Sequence, residues 1–250
     1  MPQLMRTANP ALNDKVFSGV SGTYGEEMTL GGTVNKTGIL LLCAMAAAAW
    51  AWHVFMQAHS AAAVMPLLWG GTLGGLVFAL VTVFKKQWSP ITAPIYSLLE
   101  GLALGAISAV LDVRFPGIAI EAVSLTFGTL LVLLMAYRTG IIKVTAKFRL
   151  GVVAATGAIF LFYMAEIVLG FFGVHFMAVN GSGVIGIGVS VVIVVVAALN
   201  LVLDFDFIEH GVQAGAPKYM EWYGAFGLMV TLVWLYLEML RLLAKINSRD

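Results

Sequence analysis

Seven apolar runs, each about twenty residues long, follow one another along this 250-residue chain, at about 37–56, 61–84, 91–112, 118–137, 150–174, 184–204 and 222–243. A helix crosses the hydrocarbon core of a bilayer with about 20 predominantly apolar residues. The sixth run is rich in Val and Ile, which favour strands in water, but backbone polar groups in lipid must bond within their own segment, so it is read as helix. Hydrophobic residues make up 60% of the chain and charged residues 11%, with a mean hydropathy of +0.95. Soluble domains average about 25% charge, and so little polar cover excludes an ordinary soluble enzyme. A net charge of +1 with no basic run gives no field for tracking phosphates, which excludes nucleic-acid binding as a main role. The expected fold is all-α, an integral protein of the lipid bilayer with seven transmembrane helices in a domain spanning about 37–246.

The first 36 residues differ from the rest: polar, with Pro10 and the pair Glu26 and Glu27. They lack the apolar core and cleavage site of a signal peptide and read as an uncleaved tail. Residues 205–221 combine polar side chains with Gly and Pro and read as a loop, either at the surface or re-entrant. With the N-terminus in the cytoplasm, ten basic residues flank that side and four the other, so the positive-inside rule favours a cytoplasmic tail. A strict seven-span count then places the basic C-terminal end outside, against the rule, and leaves the side of the C-terminus open. The single cysteine, Cys43, lies in an apolar run, so no disulfide framework or thiolate metal site is expected.

Charged groups within the bilayer cost several kcal/mol, and such residues tend to face the bundle interior and to be functional. Five carboxylates stand in or at the ends of the runs: Glu100, Glu166, Asp204, Asp206 and Glu238. Asp204 and Asp206 close the sixth run and lie about 200° apart on a helix, so regular helix does not aim both at one ion. Glu238 has Arg241 three residues on, a spacing that allows an intrahelical ion pair. Glu100 and Glu166 have no basic neighbour in sequence and become candidates for an ion path. Acids on four helices, with few intramembrane bases, favour a cation or proton path over an anion path.

The remaining motifs carry structure rather than chemistry. Gly70 and Gly74, Gly71 and Gly75, and Gly101 and Gly105 have the small-xxx-small spacing that lets helices approach closely. Several of the six tryptophans sit near span ends, as interfacial anchors do. The four histidines form no HExxH or His-xxx-His pair, and no Gly-rich phosphate loop is present. The string Gly19-Val20-Ser21-Gly22 resembles the surroundings of an intramembrane serine nucleophile but lies in the polar tail. The expectation is a protein that is not an enzyme and carries no resident cofactor.

Three stretches carry a family likeness: MTLGGTVNKTGILLL entering the first span, SPITAPIYSLLEGLALGAIS in the third, and the long segment ALNLVLDFDFIEHGVQAGAPKYMEWYGAFGLMVTLVWLYLEMLRLLAKI. In these the chain resembles the Bax inhibitor-1 family, in its YccA-like bacterial branch. The resemblance implies a seven-helix fold with the last helix central and wrapped by the other six. It implies a pH-sensitive calcium leak channel; eukaryotic members are described as suppressors of cell death. The family's pH sensor is a pair of acids, one ending the sixth helix and one within the seventh. The first falls on Asp204, with Asp206 its rival, and the second on Glu238, where the family more often has Asp. Two such carboxylates in a low-dielectric core would share a proton, and once ionised could bind Ca²⁺, with Arg241 modulating them. The expected function is therefore a pH-gated cation (Ca²⁺) leak in a bacterial inner membrane. The alternative is a non-transporting regulator that binds a membrane protease or another membrane-protein partner; a proton-coupled transporter and an intramembrane hydrolase follow behind.

Overall fold

A computed structural model describes residues 27–173 and 177–248. Seven helices in it are long and apolar enough to cross a membrane: α1 (Leu30–Ala58), α2 (Ala61–Phe84), α3 (Ser89–Arg114), α4 (Ile118–Arg138), α5 (Ala146–Phe171), α6 (Val184–Gln213) and α7 (Met220–Asn247). A single helical turn, Met177–Asn180, lies between α5 and α6. The tail string Gly19-Val20-Ser21-Gly22 lies outside the described residues.

Caps locate the helix starts. Thr29 is extended and its hydroxyl accepts from Gly32 N, and Thr145 does the same for Phe148 N, the usual way of satisfying an open first turn. Thr29 therefore starts α1 at Leu30, within the segment that the sequence assigns to the polar tail ending at 36. A larger departure concerns 205–221. This segment is no loop: α6 continues to Gln213, and only 214–219 connect it to α7. Its polar residues find partners on neighbouring helices, so the helix runs on where hydropathy falls.

The expected centrality of the last helix holds. α7 is the most buried span, and Tyr223, Phe226, Leu235 and Leu240 are almost wholly enclosed. α1, α3, α4 and α6 pack directly on it, while α2 lies outside against α3 and α1. The Tyr96 and Phe226 rings meet edge to face at 5.0 Å, tying α3 to α7.

Close approach of α1 and α3 rests on two glycines. A Cβ at Gly101 would strike the backbone of Ala44, and one at Gly105 the backbone of Ala48. On the next interface, Gly71 faces the backbone of α3 at Leu99 and Ala103. Gly70, by contrast, has nothing within 4 Å of its Cβ position. Gly101→Val should therefore cost about 1–3 kcal/mol through overpacking and lower the thermal midpoint in detergent, while Gly70→Val leaves it near wild type; equal midpoints for the two variants would refute this account of the α1–α3 contact.

Candidate functional site: a polar seam among α5, α6 and α7

Val152 is the one buried residue among the described residues of α5. Lipid tails are as apolar as its side chains, so apolar packing gives such a helix little reason to stay on the bundle. Polar contacts hold it instead. Arg149, Thr156 and Tyr163 are spaced seven residues apart, which leaves them on one face, about 20° out of register per step. Each meets the bundle: Arg149 Nη2 donates to Asp206 Oδ2 at 2.6 Å, Asn200 Nδ2 donates to Thr156 Oγ1 at 2.8 Å, and Tyr163 OH donates to Glu238 Oε1 at 2.8 Å. From Arg149 to Tyr163 the helix rises roughly 21 Å, most of a hydrocarbon core of about 30 Å.

Asp206, half of the lower contact, is 7% exposed. His210 Nδ1 lies 3.6 Å from its carboxylate and 2.7 Å from its main-chain oxygen. One turn away, Tyr137 OH on α4 donates to Glu209 Oε2 at 2.5 Å. The polar end of α6 is thus clasped by α4 and α5, which is why it folds as helix. Asp204, wholly buried, points elsewhere than Asp206, as the 200° offset requires.

At the upper contact, Arg241 Nη1 stands 3.2 Å from Glu238 Oε1, the intrahelical pair expected from the spacing. Arg241 also donates to Tyr163 OH and lies over the Tyr163 ring, 5.0 Å from its centre. Beyond it, Lys245 Nζ donates to Val179 O, Gly186 O and Ser190 Oγ at 2.8, 3.1 and 2.9 Å. Glu166 accepts from Asn180 in the α5–α6 connection.

These contacts bear on the register of α6 against α7. Lys245 sits level with Gly186–Ser190, which puts Glu238, two turns back, level with about Val195. Asp204 is nine residues further along α6, roughly 13 Å away. Asp206 and Glu238 meet different partners on the α5 face, Arg149 and Tyr163, fourteen residues apart. Because α6 runs on past Asp206, the α7 residues opposite the aspartates lie near Met229, where no acid stands. Among the described residues no three His, Cys, Asp or Glu side chains are placed to hold a metal ion, so the expected Ca²⁺ ligand set of Asp204, Asp206 and Glu238 is not assembled. Glu100 lies against Gly75 of α2, outside the seam.

A second polar cluster escaped the sequence reading. Glu221, wholly buried at the start of α7, accepts from Thr29 N and Oγ1 at 2.9 Å each and from Lys36, with Lys218 Nζ at 3.4 Å. Met28 N donates to Ala216 O at 2.7 Å. Together they staple the start of α1 to the α6–α7 connection. The sign in the sequence was Lys36 at the head of an apolar run; its partner lay in a segment read as loop. In α5 the signal was the period of seven itself.

A bundle of seven apolar helices closed by intramembrane polar contacts defines a multi-pass membrane protein. The chain matches the family described as Bax inhibitor 1 like over residues 9–248, nearly its whole length, and belongs to it. No curated protein and no solved structure matches it.

The Arg149–Asp206 pair gives the site a measurable cost. Removing one member of a buried ion pair costs about 3–5 kcal/mol, whereas replacing both by apolar groups is nearly neutral. Arg149→Ala should lower unfolding stability in detergent by that amount, Thr156→Val by only about 1 kcal/mol, and Arg149→Met with Asp206→Leu should recover most of the first loss; an additive double variant would show that the two residues are not coupled.

Proposed function

We propose that the protein is a pH-sensitive cation leak of a bacterial inner membrane, with Ca²⁺ as a permeant ion and the α5–α6–α7 seam as its path. The observation that carries this reading is the polar column at Arg149, Thr156 and Tyr163 on a helix that has scarcely any apolar hold on the bundle. Moving α5 outward would open a track lined by Asp206, Asn200 and Glu238, carboxylate and carboxamide oxygens suited to a hard cation. Membership of the Bax inhibitor 1 like family supports the same reading. The role is non-enzymatic, and the ion is cargo rather than a resident cofactor.

The proposed orientation keeps the N-terminus cytoplasmic and the C-terminus outside. The basic C-terminal end weighs less against this than its composition suggests. Lys245 is 8% exposed and spent on three acceptors within the protein, so it is not a free flanking charge of the kind that the positive-inside rule counts.

The partners of the acids set the sign of the pH response. Two carboxylates sharing a proton are held together by acid. A carboxylate held by arginine is released by acid, because protonation removes the attraction to the guanidinium. Asp206 faces Arg149 and His210, and Glu238 faces Arg241 and Tyr163; protonating either loosens α5.

Ca²⁺ influx into dye-loaded liposomes containing the purified protein should therefore be greater in acid than at neutral pH. Asp206→Asn and Arg149→Met should raise flux at neutral pH and flatten the profile, and Glu238→Gln should do so in part. A profile that rises with pH would refute the arginine-held gate. No flux above empty liposomes at any pH would sink the channel reading in favour of the partner-binding regulator.

A further inference from the structure

A cavity of about 760 Å³ opens on the far side of the bundle from the seam. α1 and α4, each packed on both α3 and α7, form its sides, and α3 and α7 form its floor. Exposed Met45, Ile120 and Val123 frame the mouth, so it faces sideways among acyl chains. Its volume falls within the range of about 300–1,000 Å³ typical of small-molecule sites.

Depth, polarity and charge restrict what can fill it. Along α1 the lining runs from Leu41 to Trp52, and along α4 from Gly117 to Phe127, roughly 15–17 Å of helix. That is about half of a hydrocarbon core of about 30 Å: one leaflet, on the side of the α3–α4 turn. A partner transmembrane helix would need a groove through both leaflets. The buried hydroxyls of the wall are already satisfied by the protein: Ser108 Oγ donates to Leu104 O at 2.5 Å and meets Tyr236 OH at 2.6 Å, and Thr126 Oγ1 donates to Ala122 O at 2.7 Å, while Ser124 stands exposed at the mouth. The interior therefore suits a hydrocarbon chain. At the interfacial end stands Asp112, the sole charged side chain in the wall among the described residues. Its Oδ1 accepts from Gly117 N at 3.0 Å at the start of α4, which fixes the carboxylate at the mouth.

We propose that this cleft binds one phospholipid of that leaflet with an amine-bearing headgroup, an acyl chain in the cavity and the ammonium on Asp112. The chain supplies the apolar complement, and the headgroup the positive charge that a carboxylate at the lipid–water boundary selects. The proposal is independent of the proposed conduction path, which shares only α7 with the cleft and uses other residues of it.

The test is native mass spectrometry of the full chain extracted from vesicles of phosphatidylethanolamine and phosphatidylglycerol in equal parts. Wild type should retain one phospholipid per monomer, with phosphatidylethanolamine preferred about tenfold. Ala49→Trp and Ser124→Phe, which fill the mouth from opposite sides at exposed positions, should each lower occupancy about tenfold while keeping the wild-type thermal midpoint. Asp112→Asn keeps an oxygen for Gly117 N and should retain lipid but lose the headgroup preference. Wild type without bound lipid, undiminished lipid in both mouth-filling variants, or a dimer that these variants dissolve would overturn the proposal, and an unchanged preference in Asp112→Asn would overturn the headgroup assignment.

Discussion

Helices inside a bilayer have no water to expel when they meet, so the hydrophobic effect that assembles soluble cores is spent on insertion. Association then depends on close backbone approach and on polar groups that lipid leaves unsatisfied. Both devices appear here, on different helices. Gly101 and Gly105 bring α3 onto the backbone of α1, and Ser97 Oγ donates to Leu40 O at 2.5 Å across that contact. On α5, Gly151 and Gly157 have nothing within 4 Å of their Cβ positions, and the helix leans on three polar bonds.

That division bears on dynamics. A helix held by packing moves only by breaking many weak contacts at once. A helix held by a few ionisable contacts moves when their charge state changes. α5 belongs to the second kind, and its lower contact is an Arg–Asp pair rather than two acids. The change of partner reverses what a proton does at Asp206. Family likeness alone pointed to a proton-shared pair; the contacts on α5 give Asp206 and Glu238 an arginine and a tyrosine instead.

The opposite face has another character. α1, α3, α4 and α7 are firmly joined there, yet leave a cleft the depth of one leaflet. The Glu221 cluster, binding Thr29 and Lys36, fastens the start of α1 to α7. α1 is thus fixed at one end by polar contacts and along its length by α3, which holds that wall of the cleft in place.

Seven spans, the membrane class, the family and the Glu238–Arg241 pair were all legible in the amino-acid order, because each depends on local hydropathy or on spacing within one helix. The limits of α6 were not legible, since a fall in hydropathy marks where a helix leaves lipid and not where its hydrogen bonding ends. From that one extension follow the partners of the acids. Asp206 meets Arg149 and not Glu238, Glu209 meets Tyr137, and Glu221 meets Lys36, each pair distant in sequence. A chain of apolar runs determines how many times it can cross a membrane. Which charge sits beside which is decided by the register between helices, and register is a property of their lengths and contacts taken together.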